Sequence, residues 1–569
     1  MMSDAKKKAQ AFLEQEKAFR LGELLTEAMH PKTLRLSQTI QADFQAGVRM
    51  LQSVDDDIPA ALERIFAQES FGRLVEALHE AMRTGHHIFF TGCGATGRLS
   101  ILLEAAWREC WRRTEPNGSP MADLCISVMA GGDFALIKSV EGFEDFTDFG
   151  RRQIEEAGVQ KGDVVVAITE GGETSFVIGT AWQGLDVEAH VFFVYNNPTD
   201  LLRTHVQRSR EVIEEPRIGK LDLATGPMAI TGSTRMQATT VELLVVGAAM
   251  EMALAKLRGH VVPAVSAYRR SFENLLLQLS SPQAVAAIAL AVELEEGIYR
   301  KRGLVTYLAD SLMLDVLTDT TERSPTFMIP PFRKVDDVRS PVSWAFVKDP
   351  RHATEQAWRE MLQRPPRGLT WSRDIYAQLN APAHIQANPP KLENAEIHKF
   401  RIGNEPDTSR TNAPDSILVQ VGDLEDQRSK IKNKKWNRTA AITFGPTDKP
   451  LDVDERIHVP CELPASSLRL WEHLAVKLIL NTLSTATMVR MGRVIGNAMV
   501  WVSPSNKKLI DRGCRLIAQE TGCTYERACL VLHEAIEELA ERSKRGEEVP
   551  SPVAVAIERI GQSEDKETA

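Results

Sequence analysis

A glycine-rich turn in the first third of the chain has the clearest chemical pattern. It lies in the run FFTGCGATGRLS at residues 89–100, between a short apolar run and a helical pattern. Its candidate phosphate-binding residues are Gly92, Gly94, Ala95, Thr96 and Gly97. Glycines let the backbone approach an anion, amides at a helix N-terminus attract phosphate, and a threonine hydroxyl adds a donor. The turn favours a sugar-phosphate site, with a dinucleotide site and a purely structural turn as the alternatives.

The run that follows speaks against the dinucleotide alternative. A dinucleotide site needs an acidic residue at the end of the next strand to bind the ribose. Here that run ends in Ala130-Gly131-Gly132.

Two further turns between strand and helix patterns carry glycines and hydroxyl groups. They supply the further candidate binding residues Gly171, Gly172, Thr174, Ser233, Thr234 and Arg235. Hydroxyls and amides at such turns suit a phosphate or the hydroxyls of a sugar. The alternative is that Thr174 or Ser233 simply caps the N-terminus of a helix. Taken alone, each motif favours this alternative.

The elements that must position these turns form two series of short, β-branched runs alternating with helical patterns. The first series is HIFFTG, LCISVMAGG, DVVVAITEGG and AHVFFVYNN, and the second is GLVTYLAD, VSWAFVKD, SILVQVGD, AAITFG and ERIHVP. Runs that are apolar on both faces indicate parallel sheets covered on both sides, with ligands at the carboxyl ends of the strands. We predict an α/β protein with two such units, each a flavodoxin-like sheet between layers of helices.

The same patterns predict four segments. They are an N-terminal helical segment over 1–50, a first α/β domain over 51–270, a second over 271–505, and a C-terminal helical module with a mobile tail over 506–569. Helical spacing covers residues 4–28, 32–83 and 507–545. The proline-rich stretches RPPRG, NPPK and GNEPDTSRTNAPDS are predicted to be surface loops. No chemistry is assigned to the C-terminal module.

Composition narrows the class of protein. The 569 residues are 43% hydrophobic and carry a formal charge of -9, which disfavours a general nucleic-acid or anionic-membrane surface. The N-terminus has no signal-peptide pattern, and the most apolar later stretch contains Glu242 and Glu251. The seven cysteines form no CxxC pair and have no histidines at metal-ligand spacing. We expect a cytoplasmic protein with reduced thiols, no metal and no cofactor.

Several motifs in order resemble a known family. The segments GCGATGRLSILLEAA, AGGDFALIKSVEGFEDF, ITEGGETSFVIG and ITGSTRMQATT are similar to the sugar-isomerase (SIS) fold of N-acetylmuramic acid 6-phosphate etherases and glucokinase regulatory proteins. The resemblance resumes at TTERSPTFM and at VKLILNTLSTATMVRMGRVIGNAMVWVSPSNKKLIDRG, and it is weakest over 350–460. It implies two SIS domains in one chain, the layout of the regulatory proteins, whereas the etherases are single-domain homodimers.

The resemblance also implies catalytic residues. Glu144, in VEGFED, matches one etherase glutamate, while the position of the other is taken in the first half by Ala106. The second half supplies that glutamate as Glu322 but lacks a glycine turn. Lys477 of the second half corresponds to Leu243 in the first half, on the helix after GSTRM. Without the resemblance, the simpler interpretation of Glu144 is a solvated acidic turn. For Lys477, an exposed, solvated lysine is an equally good interpretation.

Each half therefore lacks what the other has, and we predict one site per chain, built from both halves. Two departures from the family pattern affect affinity or ligand choice. Gly171 stands where the family usually has a phosphate-binding serine, and Gln237 replaces a lysine.

The predicted ligand is a 6-phosphorylated amino sugar or a hexose phosphate. The leading function is a metal-independent lyase that resembles the etherases and produces GlcNAc-6-phosphate and lactate, with the two carboxyls as acid and base. The alternatives are a noncatalytic sugar-phosphate sensor that controls a sugar kinase, as the regulatory proteins do, and an aldose–ketose isomerase.

Overall fold

Two parallel sheets of the same topology organise the chain. A computed structural model describes residues 4–140, 142–422, 436–448, 450–545 and 547–567. The first sheet contains β1 Ile88–Gly92, β2 Cys125–Met129, β3 Val164–Thr169, β4 His190–Tyr195 and β5 Gly219–Asp222. The second contains β6 Val305–Leu308, β7 Ala345–Lys348, β8 Ile417–Val421, β9 Arg438–Gly445 and β10 Glu455–Pro460.

The order of strands is the same in both sheets. It is β2-β1-β3-β4-β5 in the first and β7-β6-β8-β9-β10 in the second, and all neighbouring strands are parallel. This is the order of flavodoxin-like sheets, in which the edge beyond the strand C-termini binds ligands. The prediction of a repeated α/β unit is confirmed.

Helices surround both sheets. Before the first sheet lie α1 Asp4–Gln15, α2 Leu36–Ala42, α3 Phe44–Gln52, α4 Ile58–Phe66 and α5 Glu69–Thr84. Within and after it lie α6 Ala95–Thr114, α7 Thr147–Glu156, α8 Ser175–Asp186, α9 Thr199–His205, α10 Gln207–Glu214 and α11 Gln237–Leu257. The second half contains α12 Val265–Leu279, α13 Pro282–Arg300, α14 Met313–Phe327, α15 Thr354–Leu362, α16 Arg373–Gln378, α17 Ala383–Ala387, α18 Asn394–Ile397, α19 Thr408–Thr411 and α20 Leu470–Arg490. The C-terminal helices are α21 Lys507–Thr521, α22 Tyr525–Lys544 and α23 Pro552–Glu567.

Residues 552–567, in the predicted tail, form the helix α23. Its apolar residues Val553, Ala556 and Ile560 recur at helical spacing and are buried. They form one face that packs against α21 and α22. The short polar stretch before the helix hid this periodicity in the sequence.

The long helix α11 is a core helix. Among the described residues, it alone is long and apolar enough by itself to cross a membrane, and α12 with α13 qualifies only as one span bent by 64°. In this fold α11 packs against α5, α6 and α20 and is almost entirely buried. A helix that is apolar on all sides is expected in such a position.

A segment of the second half crosses onto the first sheet, so the RPPRG stretch is not a surface loop as predicted. The Arg364 guanidinium is buried and lies 2.5 Å from Asp133 Oδ2 and 3.0 Å from Glu104 Oε2. Arg367 adds a contact of 2.8 Å to Glu104. Burying these charges is tolerable because each has partners of opposite sign. The network fixes the residues after Arg364 over the first domain, where they reach the candidate site.

Candidate active site

The glycine turn after β1 has the geometry of an anion-binding loop. A Cβ on Gly92 would lie 2.4 Å from the Thr96 carbonyl carbon, and Gly94 has a φ of +60°, so both positions need glycine. α6 begins at Ala95, and its first amides point to the mouth of the turn without intrahelical acceptors. Gly97 is also constrained, because a Cβ there would meet Met129 at 2.6 Å.

The Thr96 side chain stabilises this turn. Its hydroxyl donates to the Cys93 carbonyl at 2.9 Å and accepts from the Cys93 amide at 3.1 Å. The side chain is buried. If the Thr96 hydroxyl donates a hydrogen bond to a phosphate, as predicted, it must give up its hydrogen bond to the Cys93 carbonyl.

Glu144 lies beside the turn. It belongs to a short 3-10 turn, Phe143–Asp145; the neighbouring Glu141 of the VEGFED motif is outside the described residues. One carboxylate oxygen accepts from the Cys93 thiol at 3.5 Å, and the other accepts from Asn506 Nδ2 at 2.8 Å. Lys508 Nζ is 3.5 Å from Glu144 Oε1. A predicted catalytic residue of the first half thus meets the start of the C-terminal module.

The module contributes chemistry that the sequence analysis did not assign to it. Asn506 caps α21 by accepting from the Leu509 amide at 2.8 Å, which fixes the amide group that holds Glu144. Lys508, two residues later, also contacts Glu173 Oε1 at 3.2 Å. Burial alone would lower the pKa of Lys508, but these two carboxylates raise it, so the ammonium stays charged. The signal was present, because Lys508 lies in the family-like run SPSNKKLIDRG.

The turn after β3 is acidic. A Cβ on Gly171 would lie only 2.0 Å from Glu173 Oε2, so the Glu173 carboxylate occupies the space that a side chain at 171 would need. Glu170 accepts from the Thr234 hydroxyl at 3.1 Å, and burial raises its pKa to about 7. Burial would also raise the pKa of Glu173, but Lys508 and Arg208 outweigh it and lower the pKa.

The remaining predicted residues of these turns have structural partners. Gly172 has a φ of +75° and lies against Leu202. Thr174 stands at the N-cap of α8, but its hydroxyl accepts from Thr169 at 3.0 Å rather than capping the helix. The buried Ser233 precedes α11 by four residues and does not cap it, since Met236 occupies the N-cap.

Arg235 links the two halves. Its Nη2 forms an ion pair with Asp319 and donates to Ser484 Oγ at 3.0 Å, while Nε lies 3.4 Å from Glu322 Oε2. Lys477 donates to the Arg235 carbonyl at 2.7 Å. Burial lowers the pKa of Lys477 to about 8.

Glu322 reaches the helix that follows the glycine turn. A cavity of about 40 Å³ between the halves is lined by Ala95 and Arg98 from α6 and by Glu322 and Lys477 from the second half. The cavity is much smaller than the 300–1,000 Å³ typical of ligand pockets, so a sugar can enter only if its side chains separate. Glu144 thus contacts the glycine turn at Cys93, while Glu322 lines the same cavity as Ala95, the first residue of α6.

An aromatic cluster fastens the turn that carries Glu144. The Phe143 ring stacks on Trp371 with centroids 5.7 Å apart, and Phe149 and Tyr376 pack edge-on against this pair. The Trp371 indole donates to Glu156 Oε2 at 2.7 Å. Trp371 follows the buried network around Arg364, so the second half braces a predicted catalytic residue of the first.

Comparison with known proteins agrees with this architecture. The sequence model of the glucokinase regulatory protein N-terminal SIS domain matches residues 71–184. A protein of Actinobacillus pleuropneumoniae named N-acetylmuramic acid 6-phosphate etherase is 27% identical over 225 residues, which are 40% of this chain and 66% of that protein. A protein of the same name from Clostridium acetobutylicum is 30% identical over 228 residues, 39% of this chain and 70% of its own length.

This chain thus spans about two thirds of the length of these relatives. Among solved structures, the C-terminal domain of glucosamine-fructose-6-phosphate aminotransferase from Francisella tularensis is similar over 79% of this chain and 96% of its own. Its sequence identity is 11% and its TM-score 0.45.

Proposed function

Because the chain belongs to the family of the N-acetylmuramic acid 6-phosphate etherases, we propose that it is a carbon–oxygen lyase acting on a 6-phosphorylated amino sugar. The reaction would cleave the lactyl ether of MurNAc-6-phosphate and give GlcNAc-6-phosphate and D-lactate. The observation that carries this proposal is the pair of carboxylates at one glycine turn. Glu144 contacts Cys93, and Glu322 lines the cavity that begins at Ala95.

Two carboxyl groups are what this chemistry needs. One removes the weakly acidic proton at C2, and the other protonates the ether oxygen as it leaves C3. Elimination leaves a double bond between C2 and C3, and addition of water across it gives the product sugar. Each proton transfer of this kind contributes about 10²-fold to 10⁴-fold in rate. In this scheme Glu144 and Glu322 are the two catalytic residues.

The phosphate of the substrate would lie against the start of α6. Its acceptors would meet the backbone amides between Gly92 and Gly97, with Thr96, Ser233 and Thr234 as hydroxyl donors nearby. Lys477 and Arg235 would stabilise the second-half side of the site. No metal or cofactor enters the scheme. We propose a cytoplasmic location, where such phosphorylated sugars are found.

The decisive experiment is lactate release from MurNAc-6-phosphate by the purified chain without added metal. Glu144→Gln and Glu322→Gln should each lower the rate at least 10²-fold, because an amide keeps the shape but cannot transfer the proton. Glu355→Gln is the matched control, since that side chain is largely exposed on α15. Saturable binding without lactate above the uncatalysed rate would contradict the lyase.

Solvent deuterium exchange would assign the two roles. In D2O, loss of the base should stop exchange at C2 as well as elimination. In the variant that lacks the acid, deuterium exchange at C2 should continue while the release of lactate stops. Calorimetry should find one sugar phosphate per chain, and a stoichiometry of two would contradict a site shared between the halves.

A second candidate is a sensor that binds a sugar phosphate and controls a sugar kinase. Two observations favour it: the match to a glucokinase regulatory protein domain, and the presence of two α/β units in one chain. A sensor would bind MurNAc-6-phosphate or a hexose phosphate without turnover. Its bound ligand would change the affinity for a sugar kinase, which a titration of kinase activity with the purified chain would measure.

A further inference from the structure

The acidic turn after β3 distinguishes this site from an ordinary phosphate cradle. At Gly171 the family pattern has a phosphate-binding serine, but here the Glu173 carboxylate fills the adjacent space, 2.0 Å from where a Cβ would lie. Glu170, at the other side of Gly171, is 8% exposed. Two carboxylates therefore stand where neutral hydroxyl donors would be expected to meet an anion.

The charges around this turn do not balance a phosphate. Lys508 contacts both Glu144 and Glu173, so one ammonium serves two carboxylates. Arg208, which donates to the Glu173 carbonyl, is the second cation near these carboxylates. A phosphate dianion added to three carboxylates and two cations would still be repelled unless one carboxyl took up a proton.

Of these three carboxyls, Glu170 is the one for which the described residues supply no ion pair. Its hydrogen-bond partner is the Thr234 hydroxyl. The titratable groups that act on it are the Cys93 thiol after β1, Arg98 on α6, Glu173 on its own turn, Glu242 on α11 and Lys508 on α21. Arg98 donates to Thr321 and to the Ala135 carbonyl rather than to Glu170. The next proton should therefore bind to Glu170.

We propose that Glu170 is a ligand-binding residue that meets the phosphate of the sugar as a neutral carboxylic acid, so that ligand and one proton bind together. This inference rests on the proposed function, because that function puts the phosphate near Thr234, whose hydroxyl donates to Glu170. The proton comes from solvent and is held in an O–H···O hydrogen bond between Glu170 and a phosphate oxygen. No covalent bond forms or breaks.

Burial prepares Glu170 for this role. It raises the pKa of Glu170 to about 7, so the free chain is poised between its two protonation states near neutral pH. Above this pH, binding must take up a proton, and affinity should fall about tenfold per pH unit. A phosphate monoester is largely a dianion at pH 8, since its second pKa is about 6, so its own titration adds little there.

The experiment is isothermal titration calorimetry with GlcNAc-6-phosphate at pH 8, in two buffers of different ionisation enthalpy. The wild-type chain should take up about one proton per ligand. Glu170→Gln should take up almost none and should bind about thirtyfold more tightly than wild type at pH 8.5, because wild type loses about tenfold in affinity per pH unit above the Glu170 pKa of about 7. Glu173→Gln is the control: it changes the same turn, but its carboxylate is paired with Lys508, so proton uptake should persist.

The outcomes separate this inference from the proposed function. Ligand binding by wild type with no proton uptake, or equal uptake by wild type and Glu170→Gln, would overturn the role of Glu170. The first outcome is measured on the wild-type chain alone, so the proposal can be refuted even if Glu170→Gln does not fold. Lactate release by a chain that shows no proton uptake would leave the lyase standing and remove only this inference.

Discussion

Trp371 offers a test of whether the second half positions Glu144, a proposed catalytic residue of the first half. Its ring is 7% exposed and stacks on Phe143, the residue before Glu144. Ile385, from the same segment, lies 3.3 Å from a Cβ built on Gly142, so the turn is held from two sides. Replacing Trp371 by alanine would leave a cavity directly behind this turn.

The expected loss can be worked from these contacts. Large aromatic-to-alanine changes in a core cost about 3–5 kcal/mol in the free energy of unfolding. Trp371→Phe keeps a ring but loses the hydrogen bond to the part-exposed Glu156 carboxylate, which should cost about 1–2 kcal/mol. If the turn relaxes so that Glu144 moves by about 1 Å, turnover should fall about 10²-fold.

The assay combines melting temperatures with steady-state kinetics of lactate release. Melting temperatures should rank wild type, Trp371→Phe and Trp371→Ala in falling order. Turnover should be nearly normal in Trp371→Phe and should fall in kcat more than in KM in Trp371→Ala. In a Glu144→Gln background, Trp371→Ala should cost little further activity. A destabilised Trp371→Ala chain with normal kcat would refute the reasoning and make the cluster purely structural.

Three further predictions concern the turn, the buried network and pH. Gly94→Val should obstruct the anion loop and Thr96→Ala should remove a hydroxyl, so calorimetry should show weaker binding of GlcNAc-6-phosphate by chains whose circular dichroism is unchanged. Arg364→Leu removes the ion-pair partner of the buried Asp133 and one of the cations at Glu104, and it should cost about 3–5 kcal/mol in urea unfolding; a cost under 1 kcal/mol would contradict a structural role. Burial raises the pKa of Glu242 well above its ordinary value. The folded chain therefore keeps a proton that the unfolded chain releases above about pH 4.3, and stability falls as pH rises from there. Glu242→Gln should lessen the drop in melting temperature between pH 4 and pH 8, and an unchanged drop would show that Glu242 titrates normally.

Local patterns predicted the fold well because both sheets are built from short apolar runs. β1 and β3 are buried on both faces, which is what their uninterrupted apolar sequence indicates. The turn at Gly92 could also be predicted, because its glycines and the following helix are neighbours in sequence. The helix α23 was not predicted, because a short polar stretch precedes its few apolar residues.

Contacts between distant parts of the chain could not be read in this way. Lys508 meets Glu144 across more than 360 residues, and Trp371 meets Phe143 across more than 220. Nothing in the local sequence of Trp371 separates a buried aromatic from an exposed loop residue. The resemblance to known proteins was weakest over this segment, so it supplied no help there. These residues come into contact only in the folded chain, so their contacts are not encoded in any local pattern.

The second half shows why only one turn would serve a ligand. After β6 the chain runs through Ala309 and Asp310 into α14 without a glycine, so the backbone cannot approach an anion as it does at Gly94. Asp310 forms an ion pair with Arg351 at this edge of the second sheet, which puts a nearly buried carboxylate where the first half would receive a phosphate. The second half thus supplies Glu322 without a glycine turn of its own, which is why the proposed site places this glutamate at the turn of the first half.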